Sequence, residues 1–259
     1  MQTGAITGYI DVAQLVLYAF WLFFFGLVFY LRREDRREGY PLETDSGRIV
    51  DPGLIWVPAP KVFRLNHGQG TVAVPNDTRD SSRELAATRT APWPGAPLIP
   101  NGDPMLAGVG PGSYALRADR PDLTLHGDPK IVPMRVAQDF SIAAGDPDPR
   151  GMPVIGMDGK TGGTVSDVWV DRSEVIVRYL ELTIAAAEGS RSVLLPMNFA
   201  RVDAARRCVK VRAVKGHHFA QAPGIAQADQ ITLLEEDRIM AFYGAGTLYA
   251  DPDRQEPWL

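Results

Sequence analysis

"LVLYAFWLFFFGLVFYLRREDRREGYPLE", Leu15 to Glu43, is the stretch on which the reading of this chain turns. An unbroken apolar run ends at Leu31, and a dense block of charge follows at once. From Val12 to Leu31 no side chain is charged, and the polar interruptions are Gln14, Tyr18 and Tyr30. A helix needs about 20 apolar residues to cross a bilayer core, so the length fits one span. A secretory signal would carry a basic n-region, a shorter apolar stretch and a small-residue cleavage site. Met1 to Ile10 holds no Lys or Arg, and charge rather than an A-x-A pattern follows the run. A buried core helix rarely shows aromatic side chains all round, as Phe20, Trp21, Phe23, Phe24 and Phe25 would give. The run is therefore expected to be a transmembrane helix over residues 12–31, after a short segment 1–11.

The flanks set a direction. Arg32, Arg33, Arg36 and Arg37 follow the run, and no basic residue precedes it. Lys and Arg dominate orientation, so the interleaved Glu34, Asp35 and Glu38 do not cancel them. The C-terminal side is expected in the cytoplasm and the N-terminus on the periplasmic side. Tyr9 and Tyr30 are placed for the two interfacial belts, with the four arginines at the cytoplasmic interface.

The bulk numbers narrow the remainder. The chain has 259 residues and a formal net charge of −4, and its mean hydropathy of −0.10 excludes a polytopic membrane protein. That charge leaves no electrostatic footprint for nucleic acid. Cys208 is the single cysteine, so an internal disulfide or a cysteine-cluster metal site is impossible. Residues 32–139 are rich in Pro and Gly, as in "VPAPK", "APWPGAPLIPNGDP" and "GVGPGS". Pro removes backbone donors and fixes φ, so this stretch is expected to be an extended connector. One small hairpin is predicted in it, from Val62–Leu65 and Thr71–Val74 around "NHGQG". Its scattered Trp56, Trp93, Leu98, Ile99 and Met105 suit a partner surface better than disorder.

Residues 140–250 read differently. "MPVIGMDGKTGGTVSDVWVDRSEVIVRYLELTIA" gives three strands with turns between them, and "RSVLLPM", "FARVD" and "RCVKVRAV" continue the series. Val175 to Ile184 is apolar on both faces, as expected of a strand in a small closed β-barrel. "DQITLLEEDRIMAFYGAGTLYA" predicts a C-terminal helix with Leu233, Ile239, Met240 and Tyr243 on its apolar face, loosened at its end by Gly244 and Gly246. A tail, 251–259, follows. The fold class is thus one N-terminal transmembrane helix plus a mainly-β cytoplasmic domain.

Signatures of enzyme chemistry are missing. "GKTGG" at Gly159 lacks the first glycine of a phosphate-binding loop and sits between strands, and there is no H-E-x-x-H or G-x-S-x-G. Two polar constellations stand out. In "DLTLHGD", Asp122 to Asp128, a bent loop can turn His126 and Asp128 toward one ion or one water chain; the alternative is a solvated loop. In "VDRSEVIVR", Glu174 and Arg178 share parity with Ile176 and Leu180. Burial favours a neutral carboxyl and a nearby Arg an ionised one, which makes Glu174 a candidate to hold and pass a proton. The alternative is a structural ion pair.

The single span ending in "REGYPLE", then "HGQGTVAVP", "GDPM", "GVGP", "KIVPM", "SDVWVD", "LLPM" and "TLLEED" in this order, resembles the H subunit of the photosynthetic reaction centre of purple bacteria. The strand-rich part then resembles the PRC-barrel. The resemblance implies a non-pigmented, non-enzymatic subunit of the bacterial inner membrane that caps the L and M subunits, shields the quinone sites and conducts protons to the secondary quinone. It implies no cofactor on this chain. The complex would carry bacteriochlorophyll, bacteriopheophytin, ubiquinone or menaquinone, non-haem iron and carotenoid. Membrane lipids, a cytochrome subunit and the light-harvesting 1 ring are further partners it allows. The family's relay glutamate matches Glu174, the aspartate before it Asp171, and the downstream arginine Arg178. The family's Asp-x-His-x-His proton-uptake cluster reads here as Thr124, His126 and Asp128, with Asp122 nearby. That set implies weak, inhibitory zinc or cadmium binding through His126 and Asp128, since oxygen replaces one imidazole nitrogen. A membrane-tethered PRC-barrel adaptor for other cytoplasmic partners is the alternative.

Overall fold

The computed structural model describes residues 4, 6–7, 9–44, 46, 48–76, 84–93, 95–186 and 189–255. The chain divides into two compact units, Met1–Ser82 and Arg83–Leu259.

The first unit is led by helix α1, Val12–Glu34. Its N-terminus closes in a capping box: Gln14 N donates to the Asp11 carboxylate at 2.7 Å, and the Gln14 side chain accepts from Asp11 N. This explains the one amide in the apolar run. None of the helix is buried, which removes the core-helix reading. Its aromatic side chains pack on one another at i, i+4: Phe20 on Phe24 at 5.9 Å and Trp21 on Phe25 at 5.7 Å. Tyr9 is almost fully exposed and Tyr30 half exposed.

The arginines at and past the helix end do more than carry charge. Arg36 donates to the carbonyls of Pro52 and Ile55 and stacks over Tyr40. Arg37 is fixed by Glu34 at 2.8 Å and donates to Ala59 O and Val74 O. Arg33 lies over Trp56, and Arg32 meets Asp35. The predicted hairpin is present as β1, Lys61–Arg64, and β2, Thr71–Val74, with Lys61 opposite Val74.

In the second unit a short hairpin comes first, β3 (Ala87–Arg89) with β4 (Leu98–Pro100). Then come β5 (Ile131–Pro133), β6 (Pro153–Ile155), β7 (Thr161–Asp171), β8 (Ile176–Ala186), β9 (Gly189–Pro196), β10 (Ala200–Asp203) and β11 (Cys208–Val211). Hydrogen-bonded neighbours run β10-β11-β6-β7-β8-β9, with β5 also on β7. The ends of this path, β9 and β10, are joined by one 3-10 turn, Met197–Phe199. Register shifts between Val165 and Asp167 and between Trp169 and Val170 bend the long β7–β8 ribbon around the core. Trp169, Leu180, Leu182, Leu194 and Leu195 fill that core with no more than 1 % exposure each. The "GKTGG" motif is the β6–β7 turn and the start of β7.

Three expectations need adjustment. Val175 is not on the β8 strand: it sits in the turn before it with φ 56 and is exposed, as is Ile176. The stretch read as an extended connector supplies β5 to the barrel sheet, and its Met105, Ile131 and Val132 stand in the barrel core. Short apolar triplets between prolines suffice for one strand, although Trp93, Leu98 and Ile99 do stay exposed.

The third concerns helix α2, Leu233–Tyr249, which runs through both glycines without fraying. It opens in a capping box, Thr232 with Glu235. A Cβ on Gly244 would sit 2.6 Å from Pro111 O, and one on Gly246 2.5 Å from Val214 Cγ1 and 2.7 Å from Ala213 O. The glycines are contact points. The partner turn, Gly110–Gly112, mirrors them, since a Cβ on Gly112 would come within 3.0 Å of Ala245 Cβ. Ile239 and Tyr243 are fully buried on the predicted face, while Leu233 and Met240 are half-buried.

Gly246→Ala is expected to lower the melting temperature, because overpacking against a backbone carbonyl costs about 1–3 kcal/mol. Tyr243→Phe is expected to raise it: among the described residues the buried Tyr243 hydroxyl has no hydrogen-bond partner, and an unmet buried polar group costs about 1–3 kcal/mol. Thermal denaturation of the detergent-solubilised chain checks both signs.

Candidate functional site

The site is organised by Asp171, the last residue of β7, whose side chain is fully buried. One of its carboxylate oxygens accepts from Ser173 N and Glu174 N, both at 2.9 Å. The other accepts from Arg178 Nη2 at 3.2 Å and lies 3.6 Å from Lys130 Nζ. Burial pushes this carboxyl upward, but the two amides, Arg178 and Lys130 outweigh it and hold its pKa below the usual aspartate value.

Glu174 lies in the turn rather than on the strand, and its side chain is half exposed. In this turn the buried acid is Asp171, so the expectation of Glu174 on a strand face among apolar side chains is corrected. Arg178 binds Glu174 at 2.9 Å, and Lys130 approaches it at 3.5 Å. The exposed Val175 and Ile176 adjoin Glu174 in sequence.

Strand β5 brings the second constellation to the first. Ile131 pairs with Asp171, and Arg172 N donates to Lys130 O at 2.9 Å. This sets Lys130 between the two segments, 3.7 Å from the Asp122 carboxylate. Burial pushes the Lys130 ammonium down, and the Asp171, Asp122 and Glu174 carboxylates more than reverse it, leaving its pKa raised. The loop folds back on itself through Thr124 N to Asp128 O at 2.8 Å and Lys130 N to Asp122 O at 2.8 Å. A cavity of about 600 Å³ is lined by His126, Asp128 and Thr124 from this loop, by Arg172 and Ser173 from the turn, and by Asp139. All six residues singled out in the sequence therefore fall in one region, threaded by Lys130.

For a metal the set is thin. Among the described residues no group of three or more His, Cys, Asp or Glu side chains could hold an ion. His126 and Asp128 share a cavity without closing a ligand set.

Three participants escaped the sequence reading. Lys130 stood inside the apolar "KIVPM" segment, and Asp139 lies far from the loop in sequence. Glu236, on α2, accepts from Tyr179 Oη at 3.1 Å; with Arg117 and Arg178 these two line a further cavity of about 550 Å³. Burial raises the Glu236 carboxyl above its usual value, despite the Tyr179 hydrogen bond and the nearby Arg117 and Arg178. Its signal was the doubled acid in "TLLEED", of which Glu235 serves the cap.

Asp171→Asn is expected to cost about 3 kcal/mol at neutral pH, the low end for unpairing a buried charge. The folded pKa lies below the unfolded one, so this stabilisation is present above about pH 3.9 and lost as pH falls through the folded value. Urea denaturation of both proteins from pH 7 to 3 should show the gap closing at the acid end.

A family model for the photosynthetic reaction centre H-chain N-terminal region matches residues 4–136, half of the chain. A PRC-barrel domain model matches residues 143–218, the segment that holds β6 to β11. The H chain is a non-catalytic subunit that associates with other reaction centre subunits. With its one exposed apolar helix and its mainly-β domain, the chain belongs to the photosynthetic reaction centre H-chain family, as a membrane-anchored protein with a PRC-barrel domain.

Proposed function

We propose that this chain caps the cytoplasmic face of the L and M subunits in a purple-bacterial inner membrane, and that it shields the quinone sites while conducting protons to the secondary quinone. The N-terminus is periplasmic and the barrel cytoplasmic, a reading that the one-sided arginine block supports. The pigments, quinones and non-haem iron belong to L and M. The observation that carries the relay is Lys130, within 3.5–3.7 Å of three carboxylates that bridge from the His126 loop to the Glu174 turn.

The roles follow from chemistry. His126, Asp128 and Asp122 gather protons from water at the loop. Asp171, held ionised, acts as the fixed counter-charge that positions Arg178 and Lys130. Glu174 is the exposed carboxylate at the far end, beside the apolar Val175 and Ile176. A partner covering that rim would exclude water from Glu174 and leave it as the proton donor toward the quinone. Glu236 and Tyr179 adjoin the same Arg178 and offer a side branch.

Glu174→Gln is expected to slow the second, proton-coupled electron transfer at least about tenfold, within the range of a lost proton-transfer group, while primary charge separation is unchanged. An unaltered second transfer in flash spectroscopy refutes the Glu174 role. Purification in mild detergent tests the capping role separately: the chain should arrive with two polytopic partners and near-infrared pigment absorption. Arriving alone and colourless, it would act as an adaptor for other partners.

A further inference from the structure

A different cavity, about 730 Å³, lies outside the site described above. It is floored by the β10–β11 ladder and closed by the end of α2 and the 3-10 turn Pro252–Arg254. The ladder alternates: Val209 and Val211 are buried in the core, which turns Lys210 and Arg212 outward. Arg201 stands directly opposite Lys210. Like charges directly opposite in a ladder are destabilising, so this face needs compensation.

The chain supplies only part of it. Asp203 accepts from Lys210 Nζ at 2.7 Å, which neutralises one cation. Arg254 donates to the carbonyls of Gly246, Thr247 and Arg212, and so caps the helix, while among the described residues its charge meets no carboxylate. Among the described residues the side chains of Arg201 and Arg212 have no ion pair or hydrogen bond. Among the described residues four cations thus face one carboxylate in a concave wall, on a chain whose formal net charge is −4. A concave surface focuses the field of such a cluster, and guanidinium forks match phosphate oxygens two at a time. The wall also offers the apolar Phe199 and Val202 beside the charges.

We infer that this cavity binds a phosphate-bearing ligand, with Arg201 and Arg212 gripping the phosphoryl oxygens and Lys210 adding charge. An anionic phospholipid headgroup and a soluble phosphate compound share this chemistry, and the test separates them. The full-length protein in neutral detergent at low ionic strength is titrated with inorganic phosphate, with dihexanoyl phosphatidylglycerol, and with dihexanoyl phosphatidylcholine as the zwitterionic control. Thermal shift and equilibrium binding are read together. Arg201→Gln/Arg212→Gln is expected to weaken binding about tenfold or more, the loss of one charge-assisted hydrogen bond or better. Without ligand it should melt no lower than the wild type, since repulsion is relieved. Arg64→Gln/Arg89→Gln removes the same charge elsewhere and should leave binding intact. If the paired variant folds poorly, the single Arg201→Gln carries the same comparison. Binding of inorganic phosphate supports a site for free phosphate; binding of phosphatidylglycerol alone supports a lipid site. No binding of either, or equal binding by the Arg201/Arg212 variant, overturns the inference.

Discussion

The buried carboxylate of Asp171 is the constraint on which the functional region depends. An unpaired buried charge is too costly to persist, so this one dictates its surroundings. It recruits the amides of Ser173 and Glu174, which fixes the β7–β8 turn, and Arg178 and Lys130, which ties β8 and β5 to that turn. Val175 shows how firmly. A β-branched residue at φ 56 stands in a left-handed conformation costing about 1–2 kcal/mol, and its amide donates to Asp171 O at 2.9 Å. The turn is over-determined by one acid, and the direction in which Glu174 leaves it follows.

The C-terminal helix illustrates the complementary constraint, closeness without charge. Gly244 and Gly246 on α2 let the backbone of Pro111 and Ala213 and the side chain of Val214 approach to distances no added side chain permits. Leucine at either position would push the helix off the barrel. That approach lets Tyr243 stack against Phe199 and keeps Glu236 within reach of Tyr179 across the wall. Helix packing thus sets the second cavity in the way that Asp171 sets the first.

How far the sequence reached depended on whether a signal was local. The anchor, the 61–74 hairpin, the barrel strands and α2 each rest on a periodicity or a turn within a dozen residues, and each was legible. The six polar residues of the candidate site were legible as well, partly through family resemblance, but their convergence was not. It requires β5, a three-residue strand in a stretch dominated by Pro and Gly, to pair with β7 forty residues later. Nothing in "KIVPM" marks Lys130 as a hub, because its three partners come from two other segments. The same holds for the glycines of α2. Locally they read as helix breakers, and only the tertiary contact shows them to be packing residues.

Charge accounting within the chain separates the polar cavities from one another. The cavity beside Arg135 looks as polar as any, at about 720 Å³. Yet Arg135 is satisfied by Asp167 at 3.0 Å, Glu181 at 2.6 Å and Asp229 at 3.3 Å, and Glu181 also accepts from the indole of the buried Trp169 and from Ser192. One guanidinium there serves three carboxylates, and Glu181 is tied further by Trp169 and Ser192, so the network locks β7, β8 and β9 together and leaves no cation over for an anion. The Lys130 cluster has the opposite imbalance to the β10–β11 face: Lys130 and Arg178 serve three carboxylates, two of them half exposed. A surplus of carboxylates at an exposed loop suits proton traffic, whereas a surplus of guanidinium groups in a concave wall suits an anion. The sign of what each site leaves unpaired, more than its volume, distinguishes their chemistry.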